Sequence, residues 1–195
     1  MVKLMLGKDV NYRTVILDEE NINSTNLFDC GNSAINSFLK FNALESSDNN
    51  EVKTYIFLNE LENKVIGFFS LRCSAIYCDI SVSKEDNKSN TDGGRIINFP
   101  AIEIDYFAID IEYQGLKYDE IDDDELFTLS DALFGDILGI CLEVSKIIAF
   151  KFLILYSVPN AINFYKKHNF KEFYIFMNRI NNMHVEDCMP MFLEI

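Results

Sequence analysis

Apolar and polar positions alternate along the chain in a way that divides it into strand-like and helix-like stretches. Residues 12–17 read as a short strand. In residues 32–41, Ile35, Phe38 and Leu39 fall at helical spacing, with Asp29 and Asn32 as candidate caps. The polar run 46–50 reads as a loop. Residues 52–58 and 64–77 are rich in β-branched and aromatic side chains, and the short polar stretch 59–63 between them predicts a hairpin. Residues 81–94 are dense in Ser, Asn, Asp and Gly and predict a long loop, after which Pro100 opens a strand over 101–110.

The second half is more strongly patterned. Thr128-Leu-Ser-Asp131 is a capping signal placed ahead of an apolar run. Leu133, Ile137, Cys141, Val144 and Ile148 form one stripe, with Asp136, Gly139, Glu143 and Lys146 opposite. The spacing predicts a helix over 130–148 that buries most of its circumference. Residues 152–158 predict a buried strand, and Pro159 sits at the tolerated first turn of a helix that carries Ala161, Phe164 and Tyr165 and ends near Asn169. Strands over 173–177 and 189–195 close the chain. There is no internal repeat.

Composition agrees with one packed domain. A chain of 195 residues with 17 Phe, 9 Tyr and 49% hydrophobic residues can bury a real core. Its 3 Pro and 8 Gly leave little material for an interdomain linker. Charge narrows the partners. The formal net charge is -14, and a surface that neutralises phosphates needs clustered cations. Lys166, Lys167 and Lys171 are the best cluster, and Glu172 follows them directly. Nucleic acid is a poor default partner on this count, and a basic substrate is steered in more readily.

The five cysteines are odd in number and lack metal-like spacing, so free thiols in a reducing cytosol and no metal site are expected. The first ten residues hold no signal-like apolar run. Asp136, Glu143 and Lys146 interrupt residues 132–150, so no membrane span is expected. The localisation these features predict is cytoplasmic.

Three segments carry a family resemblance. They are PAIEIDYFAIDIEYQG (100–115), the helix 130–148, and FLILYSVPNAINFYKKHNF (152–170). Their ordered combination resembles the GNAT superfamily of acyl-CoA-dependent N-acetyltransferases. FDCGNSAINSFL (28–39) and MPMFLEI (189–195) extend the resemblance more weakly, toward toxin-type GNAT acetyltransferases. The resemblance implies an α/β (α+β) fold with a central mixed, mostly antiparallel, twisted sheet of six to seven strands. Helices would cover both faces, and the sheet would splay at its central strands. It would be a single domain over 1–195, with a loop at 79–99 and an acidic insertion at 117–127.

The same resemblance implies acetyl-CoA as co-substrate, with the acetyl group passing to a primary amine by direct attack in a ternary complex. Phe107, Ala108 and Ile109 are placed where the pantetheine arm adds like an extra strand. Gln114, Gly115, Lys117 and Ser130 are placed on the phosphates, and Asn160 is a further cofactor contact. Tyr165 is the acid for the departing thiolate, since a phenol of pKa about 10 suits that leaving group. Read from the residues alone, a core aromatic beside Phe164 is the favoured reading of Tyr165, and only the resemblance brings the catalytic role level with it. Glu103 is the candidate general base. Asp105 shares its strand face and competes for the role, and an ordinary solvent-facing strand residue is the plain alternative.

His168 reads as a cation at a helix end and His184 as a loop residue. Neither Cys30 nor Cys141 has the neighbours of a nucleophile.

The resemblance breaks at the phosphate loop, usually Q/R-x-x-G-x-G/A in the family. Gln114 and Gly115 fit, but Lys117 and Asp119 stand where further glycines belong. Asp119, Glu120, Asp122, Asp123, Asp124 and Glu125 then precede the helix. Asn169 replaces the glycine after the tyrosine helix, a mild change because Asn tolerates the left-handed region. Carboxylates lodged on a pyrophosphate would be repelled, whereas an insertion loops out cheaply. The preferred expectation is therefore an acidic bulge that leaves the loop working. The alternatives are an acidic lining that attracts a cationic amine, or a non-catalytic binding or regulatory module. The acids lack the glycine and final glutamate of an EF-hand. A toxin-type enzyme acting on charged tRNA is a further alternative, against which the net charge argues. The acceptor stays open between a small molecule and a protein amine, and a homodimer is compatible with the sequence.

Overall fold

The structure, a computed structural model, describes residues 2–3, 9–80, 95–117, 127–173 and 187–195. Nine strands run in chain order: β1 (Val2–Lys3), β2 (Asp9–Val10), β3 (Tyr12–Ile16), β4 (Lys53–Asn59), β5 (Lys64–Ile80), β6 (Arg95–Ile109), β7 (Phe152–Ser157), β8 (Lys171–Glu172) and β9 (Met189–Glu194). The α-helices are α1 (Ser33–Ser37), α2 (Ala43–Asp48), α3 (Leu129–Ser145) and α4 (Ile162–Lys167). Strands β3 to β9 form one seven-stranded sheet in the order β3-β4-β5-β6-β7-β9-β8, and β1 pairs with β2 apart from it. The pairs β3–β4, β4–β5, β7–β9 and β8–β9 are antiparallel. Neighbours β6 and β7 are joined through α3, the crossover connection that suits a parallel pair. This is the mostly antiparallel sheet with interspersed helices that the sequence predicts.

Contacts group the chain into two compact units, Met1–Arg72 with Ile104–Ile147, and Cys73–Glu103 with Ile148–Ile195. In the first unit, Leu17, Phe28, Leu39, Ala43, Ile56, Leu58, Val65, Phe68 and Ala108 form the core beneath α1 and α2. The aromatic richness is used here for ordered packing. Phe28 meets Phe68 edge-on at 5.4 Å, and Phe38 stacks on Tyr106 at 4.1 Å. Gly67 lets β5 and β6 approach closely, since a Cβ there would stand 3.0 Å from the Ala108 carbonyl oxygen.

Local signals set the helix starts. The Asn32 side chain accepts the Ala34 and Ile35 amides, so Asn32 rather than Asp29 caps α1. A π-type turn, Phe38–Asn42, then carries the chain into α2, so residues 46–48 are helical where the sequence predicts loop. The polar run misleads because Ser47 is buried with its polar groups satisfied. Its carbonyl accepts Lys53 Nζ at 2.6 Å, and its hydroxyl accepts the Thr54 amide at 3.3 Å. At α3 the predicted capping box is formed, Thr128 and Asp131 exchanging side-chain and backbone bonds.

The second unit packs Ile76, Ala101 and Ile154 against Phe99, Phe152, Phe173 and Phe192. Strand β6 starts at Arg95 and runs through Pro100 rather than opening there. Proline loses only its donor, and its carbonyl still accepts the Lys151 amide at 2.8 Å. Strand β8 ends just before the expected strand over 173–177, and of that stretch only Phe173 is described, its amide donating to the Pro190 carbonyl at 2.9 Å. Residues 174–177, His184, the loop 81–94 and the acids of 118–126 lie outside the described residues.

Candidate active site

The described parts of the predicted phosphate-binding stretch lie in the first unit: the end of β6, the turn that follows, and the start of α3. Phe107 is half-buried against Phe134, 5.5 Å between ring centroids, while Ala108 and Ile109 are buried. Asp110 follows, 2% exposed, at the point where the strand becomes turn. One of its carboxylate oxygens accepts the Glu112 amide at 3.0 Å and the other the Asp29 amide at 3.1 Å. Gly115 has φ +72°, with nothing within 4 Å of where a Cβ would stand. Its backbone is therefore open to close approach in a conformation that glycine adopts freely.

The Gln114 side chain turns back into the protein. Its amide nitrogen donates to the Ile109 carbonyl at 2.8 Å and the Cys30 carbonyl at 3.2 Å, so it braces the loop from behind. Lys117 is exposed and pairs with Thr128 in an antiparallel bridge, and the Leu129 amide donates to the Leu116 carbonyl at 2.9 Å. The ends of the acidic segment are thus tied together at its base. Ser130 lies on the first turn of α3, where Thr128 and Leu116 already accept the neighbouring amides.

Charge around this loop is closely compensated. Lys64 binds the Glu112 carboxylate and lies 3.9 Å from Asp110. Burial alone would lower the lysine's pKa, but the Glu112 and Asp110 carboxylates outweigh it and hold it above the ordinary value. Asp131, 3% exposed, places a carboxylate at the helix start that the Thr128 amide and hydroxyl engage at 2.7 Å each. The donors that fit a diphosphate here are the open backbone at Gly115 and the Lys117 ammonium.

The proposed acid–base residues lie in the second unit. Glu103 is 3% exposed and accepts the Ser74 hydroxyl at 3.0 Å, so it is not a solvent-facing strand residue. Asp105, its competitor on the strand face, lies in the first unit and is paired with Arg72 at 3.3 Å.

Tyr165 is buried near the end of α4, where the chain closes in a Schellman arrangement. The Phe170 amide donates to the Tyr165 carbonyl and the Asn169 amide to the Lys166 carbonyl, each at 3.0 Å, with Asn169 left-handed at φ +65°. The Phe170 ring packs on Tyr165 at 6.0 Å, the apolar contact that accompanies this motif. Asn169 thus does the conformational work of the family's glycine. Burial first, and Cys188 second, push the Tyr165 phenol above the ordinary tyrosine value, so it is held protonated. Asn160 is exposed on the short turn that precedes α4.

Burial pushes the Cys30 thiol up and the Cys141 thiol up to about 12, which disfavours the thiolate a nucleophile needs. Sequence reasoning missed Asp110 and Asn36. The signal lay in Asp29-Cys-Gly-Asn32, which the sequence marks as a cap and as part of the upstream resemblance but not as a partner of the loop. The Asp29 carboxylate in fact accepts the Gly31 amide at 2.8 Å and the Asn36 side-chain amide at 2.7 Å, which lower its pKa.

Among solved structures the chain is similar to "AtaTR bound with AcCoA", 19% identical over 94% of each chain with a TM-score of 0.70. It is also similar to "AtaT complexed with acetyl-methionyl-tRNAfMet", 19% identical over 92% of this chain and 94% of that one, TM-score 0.64. A KacT mutant with tyrosine replaced by phenylalanine is 19% identical over 93% of this chain and 95% of that one, TM-score 0.63. The likeness is one of fold. It spans nearly the whole of both chains and agrees with the GNAT-like sheet the sequence predicts. No protein-family model and no curated protein matches the sequence. Among the described residues no helix is long and apolar enough to cross a membrane, and no group of His, Cys, Asp and Glu gathers as a metal would require.

Proposed function

We propose that this protein is an acetyl-CoA-dependent N-acetyltransferase acting on a primary amine. The observation that carries the reading is fold likeness over 94% of both chains to a structure titled as bound with AcCoA. The open left-handed Gly115, the capped α3 start and the Schellman-held Tyr165 support it.

In this mechanism the diphosphate of acetyl-CoA lies against the backbone of Gly115, Lys117 and Ser130, and its pantetheine arm follows Phe107 to Ile109. Asn160 makes a further contact. The amine nitrogen attacks the thioester carbonyl carbon, the C–S bond breaks, and the amide C–N bond forms. Glu103, directly or through water, takes the proton the nitrogen loses. Main-chain amides near Ala108 and Ile109 polarise the carbonyl oxygen. Tyr165 gives its hydroxyl proton to the departing sulfur, a role for which a phenol kept protonated by burial is suited.

A second reading concerns the acceptor. The neighbour titled as complexed with acetyl-methionyl-tRNAfMet favours an aminoacyl-tRNA α-amine, while the net charge of -14 favours a small cationic amine. Calorimetric titration with acetyl-CoA tests the first step, and failure to bind at millimolar concentration would sink the enzyme reading. Release of free CoA thiol with a panel of polyamines, lysine-bearing peptides and aminoacyl-tRNA then separates the acceptors. Turnover with tRNA that falls steeply with salt selects the nucleic acid.

A further inference from the structure

The segment 28–36 takes no direct part in the proposed mechanism, yet it packs against the turn after β6. Its backbone makes three hydrogen bonds to Asp110 and the loop that follows it, and it passes close to the Ile111 side chain. The Asp29 amide donates to Asp110 Oδ2 at 3.1 Å, and the Ile111 amide donates to the Asp29 carbonyl at 2.8 Å. Gln114 Nε2 donates to the Cys30 carbonyl at 3.2 Å. The Cβ position of Gly31, left-handed at φ +84°, lies 3.6 Å from the Ile111 side chain. Behind this face, Asn36 ties the turn to α1. Its side-chain amide donates to Asp29 at 2.7 Å, and its oxygen accepts the Cys30 amide at 2.9 Å.

We propose that residues 29–36 are a positioning brace for the loop 111–115, with Asp110 the buried carboxylate that joins the two. This deepens the acetyl-CoA reading and rests on it for its functional consequence. A loop with a single open glycine cannot wrap a diphosphate through a run of small residues. Its backbone must be presented already shaped, since ordering it on binding would cost affinity. Asp110 supplies the shape from inside, holding the Glu112 amide with one oxygen and the brace with the other. Asn36 acts at one remove, touching the turn and not the loop, so it is a positioning residue.

The test uses Asn36→Ala and Asp110→Asn in the full chain. Amide exchange read residue by residue without ligand reports the brace itself. Faster exchange at Ile111, Glu112 and Tyr113 is expected in Asn36→Ala, with the amides of β4 unchanged as a control for global unfolding. Calorimetry and steady-state kinetics report its use. The acetyl-CoA Kd and KM are expected to rise about threefold to thirtyfold while kcat holds, the range for coupling through contacting groups. Faster exchange confined to Cys30 and Gly31, with loop exchange and Kd unmoved, overturns the proposal. Absence of acetyl-CoA binding by the wild-type chain overturns the enzyme reading instead, and the exchange data still decide the brace.

Discussion

The turn after β6 and the helix end at Tyr165 both depart from the GNAT pattern they resemble, with different consequences. At the helix end, Asn169 stands for glycine, and the chain still closes with φ +65° and both Schellman hydrogen bonds. At the loop, Lys117 and the acids beyond it stand for glycines, and the surroundings become a set of compensated charges around Lys64, Glu112 and Asp131. What glycine supplies at the helix end is a backbone angle, which asparagine can also adopt. What it would supply at the loop, on the proposed reading, is open backbone and room for an anion, which a side chain reduces. A motif tolerates substitution where it encodes conformation and resists it where it encodes space.

If the tyrosine end is the conserved half of a working site, removing its hydroxyl has the largest effect. Tyr165→Phe is expected to lower kcat about 100- to 10,000-fold, measured by release of CoA thiol, while acetyl-CoA affinity changes little. Full turnover in the variant would make Tyr165 a core aromatic and erase the contrast. Its pH signature is fixed in sign. Folding raises the phenol's pKa, so its contribution to stability is intact below about pH 10 and is lost as pH rises toward the folded value. Thermal melting of wild type should therefore fall above that pH, and Tyr165→Phe should flatten the fall.

The loop predicts a smaller loss, confined to binding. Gly115→Val faces no steric neighbour within 4 Å, so its cost to folding is limited to the left-handed backbone. It also puts a side chain where phosphate must approach, and a Kd for acetyl-CoA raised at least about tenfold is expected by calorimetry, some 1.4 kcal/mol. An unchanged Kd would mean that the diphosphate does not lie on this backbone.

At Asn169 the effect moves from binding to stability. Asn169→Val should cost about 1–2 kcal/mol in urea unfolding, because a β-branched residue is strained at positive φ. Asn169→Gly should stay within about 0.5 kcal/mol of wild type. Equal destabilisation by both would show that the asparagine side chain, rather than its backbone angle, holds the turn.

These positions also show what was legible. The start of α3, set by its Thr128–Asp131 box, follows from the sequence, whereas the helix stops at Ser145 and leaves Ile148 of the expected stripe beyond it and exposed. The helical turn at Ser47 did not follow from it, since its satisfied hydroxyl and carbonyl are visible only once Lys53 and Thr54 are in place. In the candidate site, Tyr165, Glu103 and Gly115 could be named from ordered motifs. The inward turn of Gln114 and the double use of Asp110 could not. Both depend on the segment around Asp29 and Cys30 meeting a loop some eighty positions later in the chain, a non-local pairing that periodicity does not encode.

The smallest expected effect tests the acids themselves. Lys117 and Thr128 form a bridged pair, so a two-residue Asn-Gly turn in place of residues 118–127 can join them without displacing either. Removing six carboxylates beside a polyanion's site lowers repulsion, but only by what exposed charges contribute through solvent and salt. Acetyl-CoA affinity should improve by no more than about threefold at low ionic strength, with the gain vanishing at high salt. If kcat/KM for a cationic amine fell in the same variant while that for a neutral amine held, the acids would be steering the acceptor. The loop's departure from the GNAT pattern would then be a specificity device rather than a tolerated bulge.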